Sequence, residues 1–212
     1  MSVKNRDIKL CLFDCGGVIY PYDLSSFYAC LNVNKSSIDK PHLLWRELMQ
    51  GEISVCHFYK DVCQKYGFVY SEKYNDIFTQ ALLKGVGNVY QETLNVISYL
   101  KAKGVKIGLL SNALPQLEKT ITALPFDKEF VFASYQLGLL KPDIEIFKKV
   151  QTKSNIPFSK MLFIDDKAEN VEVAKQLGIK SLVYQQKKVL NDVKILMGEK
   201  NVRYPCNRRC YC

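Results

Sequence analysis

The 212-residue chain has a single tryptophan, two histidines and only five arginines, at positions 6, 46, 203, 208 and 209. Scarce arginine, with no basic run interleaved with aromatics, argues against a base-stacking or phosphate-tracking surface, so no nucleic acid partner is expected. The longest apolar runs, such as Ile107 to Leu110 and Met161 to Ile164, fall far below the roughly 20 residues of a membrane span. The polar opening, Met1 to Asp7, leads into a short strand-like run without a small-residue cleavage site, which speaks against a secretory signal and for a cytoplasmic address. No repeat or low-complexity tract is present.

What is there is an ordinary globular composition. Hydrophobic residues make up 48% and charged residues 24%, enough to bury a core and too balanced for a disordered or fibrous chain. The length suits one domain carrying a modest insertion. The net charge is +9, and residues 185–212 carry seven basic side chains against two acidic ones, so more than half of the excess is tail. The rest reads as a solvated lysine-rich surface. In a reducing compartment the eight cysteines are thiols. Cys11, Cys15, Cys30, Cys56 and Cys63 lie among apolar or helix-periodic residues without paired metal-ligand spacing, and read as small buried side chains.

Two textures divide the chain. From Tyr20 to Gly85 apolar residues recur at spacings of three and four, as in Val55, Phe58, Tyr59, Val62, Cys63 and Tyr66, which predicts a small all-helical unit. Ser54 and Ser71 stand where N-caps belong. Elsewhere short apolar runs alternate with amphipathic helices. The runs are Leu10 to Phe13, Val105 to Leu110, Phe130 to Ala133, Met161 to Ile164 and Ser181 to Tyr184. Continuous hydrophobicity within each run fits parallel strands covered on both faces. The expected fold is α/β: a Rossmann-like, doubly wound parallel sheet with a helical cap inserted after the first strand. Residues 1–19 and 86–186 form the core, 20–85 the cap, and 187–212 a basic, cysteine-containing tail that is linker-like beyond Gln185.

Ligands of open parallel sheets bind beyond the carboxyl ends of the strands. Asp14 follows the first run, Ser111 and Asn112 the second, and Asp165 with Asp166 the fourth. Singly, each has a structural explanation: Asp14 in a turn, Ser111 capping a helix near Pro115, Asp166 capping the helix with Val171. Together they should share one crevice. Three carboxylates there repel one another unless a cation sits between them, and an oxygen-rich site of this kind suits Mg²⁺. Lys141 supplies opposite charge, in a loop position set by Pro142.

These residues carry a resemblance. Phe13-Asp14-Cys15-Gly16-Gly17-Val18, then Leu110-Ser111-Asn112, then Lys141-Pro142, then Phe163-Ile164-Asp165-Asp166 with Glu169-Asn170 resemble, in order, the motifs of the haloacid dehalogenase-like hydrolases. The helical insert is similar to that family's mobile cap. The resemblance implies an aspartyl-phosphate mechanism with Asp14 as nucleophile on a small phosphorylated metabolite. It also implies backbone N–H groups around Gly16 and Gly17, with Ser111, Asn112 and Lys141, binding the phosphoryl group. Mg²⁺ would be held by Asp14, a backbone carbonyl near Gly16, Asp166 and Asp165. The chain departs from most phosphatases of the family at Gly16, where an aspartate serves as general acid and base. Members with glycine there include sugar-phosphate phosphatases such as glucose-1-phosphatase-like enzymes. His42 and His57 are the cap's candidate proton donors.

Two alternatives stay open. A 2-haloacid dehalogenase would keep Asp14 and need a cap arginine for halide, for which only Arg46 is available. A catalytically weakened relative would bind a phosphorylated ligand or a protein partner. Separately, Cys206, Cys210 and Cys212 beside Arg208 and Arg209 resemble a doubly prenylated terminus, so membrane attachment is expected only if Cys210 and Cys212 are lipidated; zinc binding lacks a fourth ligand nearby.

Overall fold

A computed structural model describes residues 8–31 and 43–199. Five parallel strands form one sheet in the order β3-β2-β1-β4-β5. They are β1 (Leu10–Phe13), β2 (Lys106–Ser111), β3 (Val131–Ala133), β4 (Met161–Asp165) and β5 (Lys180–Val183). Alternate residues of each central strand serve opposite faces. Cys11 and Phe13 join Ile107, Leu109, Leu162 and Ile164 on one side, whereas Leu10 and Leu12 join Leu110, Met161 and Phe163 on the other. Both faces are dry, which is why these strands read as unbroken apolar runs.

The first face is covered by α5 (Gln91–Ala102), through Val96, Ile97 and Leu100, and by α10 (Val189–Leu196), through Val189 and Val193. On the second lie α8 (Ile144–Ser154), with Ile146, Phe147 and Val150, and α9 (Ala168–Gln176), with Ala174. Residues 189–196 thus correct the linker-like reading of the tail. Val189 and Val193 share one helical face and are 2% and 0% exposed, and their burial holds a helix that the flanking lysines disguise.

Between β1 and β2 the chain forms α1 (Ser25–Cys30), α2 (Leu43–Gln50), α3 (Val55–Lys65) and α4 (Lys73–Leu83). Their shared core is aromatic: Phe27 packs its ring against Trp45, Phe58 and Phe78 at centroid separations of 5.3, 6.3 and 5.4 Å. Ser54 caps α3, its side chain accepting from His57 N. Ser71 does not cap α4, where Glu72 holds the N-cap position and Ser71 offers its carbonyl to Tyr74 N. Cys56 is exposed rather than buried, whereas Cys11, Cys15 and Cys63 are buried thiols. Ser134, at the start of α7 (Ser134–Leu137), ties these helices to the sheet: its hydroxyl donates to the Met49 carbonyl at 2.6 Å and accepts from Ala113 N at 3.0 Å. Among the described residues no helix is long and apolar enough to cross a membrane.

Candidate active site

The strand register levels the carboxyl ends of β1, β2 and β4, with Phe13 opposite Leu109 on one side and Ile164 on the other. Asp14 N donates to the Ile164 carbonyl at 2.8 Å, which carries the ladder one residue further. Asp14, Ser111 and Asp165 therefore leave adjacent strands side by side. Carboxylate oxygens of Asp14, Asp165 and Asp166 lie within 4.8 Å of one another.

Lys141 enters this cluster from the loop before α8. Its ammonium donates to Asp14 Oδ1 at 2.8 Å and Asp165 Oδ2 at 2.5 Å, and its nitrogen lies 5.2 Å from the ring centroid of the buried Phe163. Burial alone pushes a lysine toward neutrality; here the charges and hydrogen bonds of Asp14 and Asp165 more than reverse that, and the pKa stands above its ordinary value. Lys141 is thus a fixed cation between two acids. Its position is set by Asn112, whose Oδ1 accepts from Lys141 N at 2.8 Å while Nδ2 donates to the Lys141 carbonyl at 2.9 Å.

Asp165 is 0% exposed and heavily bonded. Besides Lys141, its oxygens accept from Lys167 N at 2.8 Å and from Asn170 Nδ2 at 3.0 and 2.9 Å. Asp166 faces outward to the cavity. Partial burial, then the charges of Asp14 and Asp165, hold its carboxyl above the ordinary pKa. Three carboxylates stand against the ammonium of Lys141, which bonds two of them, and the more distant Lys167, so negative charge is in excess. Hard oxygen donors with that excess fit a small divalent cation.

Gly16 and Gly17 separate in role. Gly16 lines the cavity. Gly17 does not line it, and its N–H donates to the Tyr20 carbonyl at 2.8 Å. That corrects the expectation of a Gly17 N–H aimed at phosphate: the donor closes the turn. Gly17 has φ +80, and a Cβ there would lie 2.6 Å from Asp166 Oδ2, so glycine is required to let Asp166 approach. His57 is exposed on α3 with Nε2 3.2 Å from Asp61 Oδ2, away from the residues lining the cavity; His42 and the cysteine-rich tail lie outside the described residues. Arg46 is exposed and does not line the cavity either.

The cavity holds roughly 490 Å³. Sequence reasoning missed part of its wall: Tyr22, Trp45 and Met49 come from the helical insert and Leu114 and Leu117 from beyond β2, all indistinguishable in the sequence from helix-packing residues. Tyr22 Oη is buried there without a hydrogen-bond partner.

A family model described as haloacid dehalogenase-like hydrolase matches residues 8–178. The chain belongs to the haloacid dehalogenase-like hydrolases. It is 30% identical over 193 residues to a D-ribitol-5-phosphate phosphatase of Bacteroides thetaiotaomicron, covering 82% of this chain and 90% of that one. It is 23% identical to a sesquiterpene phosphatase of Aspergillus oryzae, covering 82% of this chain and 88% of that one. It also matches mouse acyl-CoA dehydrogenase family member 10 at 25% identity, over 91% of this chain but only 19% of that protein's length. In fold it is similar to a Bacteroides thetaiotaomicron enzyme of the same family solved in complex with magnesium and inorganic phosphate, with TM-score 0.69 and 24% identity over 84% of this chain and 95% of that one. The chain is thus a hydrolase of this family, and two of its relatives by sequence are phosphatases.

Proposed function

We propose that the hydrolase removes phosphate from a small phosphorylated metabolite through an aspartyl-phosphate on Asp14, with Mg²⁺ as cofactor. The observation that carries this reading is the Lys141 bridge between Asp14 and Asp165, with Asp166 beside them and a cavity opening over Asp14, Lys141 and Asp166. A buried ammonium bonded to Asp14 Oδ1 at 2.8 Å fixes the orientation of that carboxylate, as a nucleophile requires.

An oxygen of Asp14 attacks phosphorus, the P–O bond to the alcohol breaks, and the leaving alkoxide takes a proton from water. Water then attacks phosphorus, releases inorganic phosphate and restores the Asp14 carboxylate. Ser111, buried at the end of β2 and lining the cavity, donates a hydrogen bond to a phosphoryl oxygen. Lys141 offsets charge on both Asp14 and the phosphoryl group, and such electrostatic positioning is most of phosphoryl-transfer catalysis. Mg²⁺ would be held by Asp14, Asp166 and a backbone carbonyl near Gly16, with Asp165 supporting through Lys141 and Asn170; when bound it reduces repulsion between the anionic nucleophile and the anionic ester. Gly16 places no side chain near the leaving oxygen.

The test is hydrolysis of an aryl phosphate with and without Mg²⁺, before and after Asp14→Asn. Metal-dependent turnover abolished by the substitution supports the reading. Tight phosphate binding without turnover would instead make the protein a binder of phosphorylated ligands.

A further inference from the structure

The cavity has two chemically distinct ends. Its floor, at the strand ends, is ionic: Asp14, Ser111, Lys141 and Asp166. The half above it is walled by Leu24, Trp45 and Met49 from the helical insert and by Leu114, Leu117 and Ile121 from the segment after β2. Leu114, Leu117 and Ile121 are 4, 5 and 2% exposed, so this wall belongs to the packed core and is fixed.

Among the described residues the polar side-chain groups there, beyond the ionic floor, are the hydroxyls of Tyr20, Tyr22 and Tyr28 and the Trp45 indole. The Trp45 indole N–H donates to the Tyr28 hydroxyl, which uses up the indole and leaves that hydroxyl its own O–H alone to offer. Tyr22 has its hydroxyl buried and unpartnered. Burial, then the neighbouring Tyr59 and Tyr28, holds it above its ordinary pKa, so it is a neutral phenol able to donate one hydrogen bond.

We propose that this hydrolase takes phosphate monoesters of largely hydrocarbon alcohols, the phosphate on the Asp14–Lys141 floor and the alkyl or alicyclic body against Trp45, Met49, Leu114 and Ile121. The inference rests on the phosphatase reading above. A polyol in this half would find at most the O–H groups of Tyr20, Tyr22 and Tyr28 among the described residues and bury the rest of its own hydroxyls unpaired, each at a cost of roughly 5- to 150-fold in binding. A hydrocarbon body gains instead about fourfold for every methylene withdrawn from water. The volume of roughly 490 Å³ is in the range that encloses a drug-sized molecule, about 300–1,000 Å³.

The deciding experiment measures kcat/KM of the full-length enzyme with Mg²⁺ on ethyl, butyl, hexyl and octyl phosphate, kept below micelle formation, and on a pentitol phosphate. Leaving-group basicity hardly changes along the alkyl series, so chain length reads contact with the cavity wall. The expected result is a rise of about fourfold per methylene until the cavity is filled, with the pentitol ester below hexyl phosphate. In Met49→Gln the ratio of octyl to ethyl phosphate falls, by about tenfold or more, because a buried amide lacks a partner there. Turnover that is flat with chain length, or a pentitol ester preferred over hexyl phosphate, overturns this inference and leaves the phosphatase reading standing. No magnesium-dependent turnover of any ester overturns that reading and this inference with it.

Discussion

Asn112 grips the main chain of Lys141 with both atoms of its amide, accepting at 2.8 Å and donating at 2.9 Å across a separation of 29 residues. The pair locks the loop before α8 to the end of β2, and with it the ammonium that joins Asp14 to Asp165. Asn112→Leu keeps the volume and removes both bonds. It is expected to lower kcat by roughly 10²-fold, the scale set by small misplacements of catalytic groups, with KM changed much less. A raised KM with kcat retained would make Asn112 a substrate contact instead.

Lys141→Met takes the cation out of a cluster of three carboxylates. Removing one partner of a buried ion pair costs about 3–5 kcal/mol, which for a chain of this size lowers Tm by roughly 6–20 °C. Because the loss is one of charge balance, Mg²⁺ should restore part of it. Melting curves of the variant with and without Mg²⁺ check this; an unchanged Tm without metal contradicts it.

The adjacent glycines respond differently to alanine. At Gly17 a Cβ meets Asp166 Oδ2 at 2.6 Å in a left-handed backbone, whereas at Gly16 it meets Tyr22 Cβ at 3.5 Å, an ordinary contact. Gly17→Ala is expected to cost at least about 1–2 kcal/mol from the backbone alone and to raise the Mg²⁺ concentration needed for activity. Gly16→Ala should melt near the wild type. Equal effects in the two variants would remove Gly17 from the positioning of Asp166.

Much of this was readable in the chain. The order of strand ends brought Asp14, Ser111, Lys141 and the Asp165-Asp166 pair to one place, because continuous apolar runs mark where each strand stops. The run Leu10 to Phe13 matches β1 at both ends. β2 begins and ends one residue later than the apolar run, since ladder membership is a backbone property that Lys106 and Ser111 do not advertise. Pro115 and Gln116 spend the start of the expected helix in a 3₁₀ turn, leaving α6 (Glu118–Thr122) short. The Asn112–Lys141 bonds and the apolar wall of the cavity were not legible. Both depend on distances between remote segments, and Trp45, Met49 and Leu117 have the spacing of helix-packing residues whether or not they face a cavity.

Buried thiols make stability fall in alkali. Burial raises the pKa of Cys11 well above its usual value near 9 and pushes that of Cys15 up to about 12. The folded state therefore keeps protons that the unfolded chain releases. The resulting stability is complete below the unfolded pKa and is lost as pH rises from about 9 toward 12, at about 1.4 kcal/mol per pH unit for each thiol. Urea midpoints at pH 8 and pH 10 should show the decline, and Cys11→Ala should make it shallower. A midpoint independent of pH over that interval contradicts the burial of these thiols.

The most direct measurement is chemical capture of the intermediate. Enzyme turning over an ester in Mg²⁺ is quenched in acid, and the acyl phosphate is reduced with borohydride, which converts the phosphorylated aspartate to homoserine. Peptide mass spectrometry should find homoserine at position 14, only when substrate and Mg²⁺ are both present. Homoserine at another position, or steady turnover with an unmodified Asp14 in every quenched sample, would contradict the account.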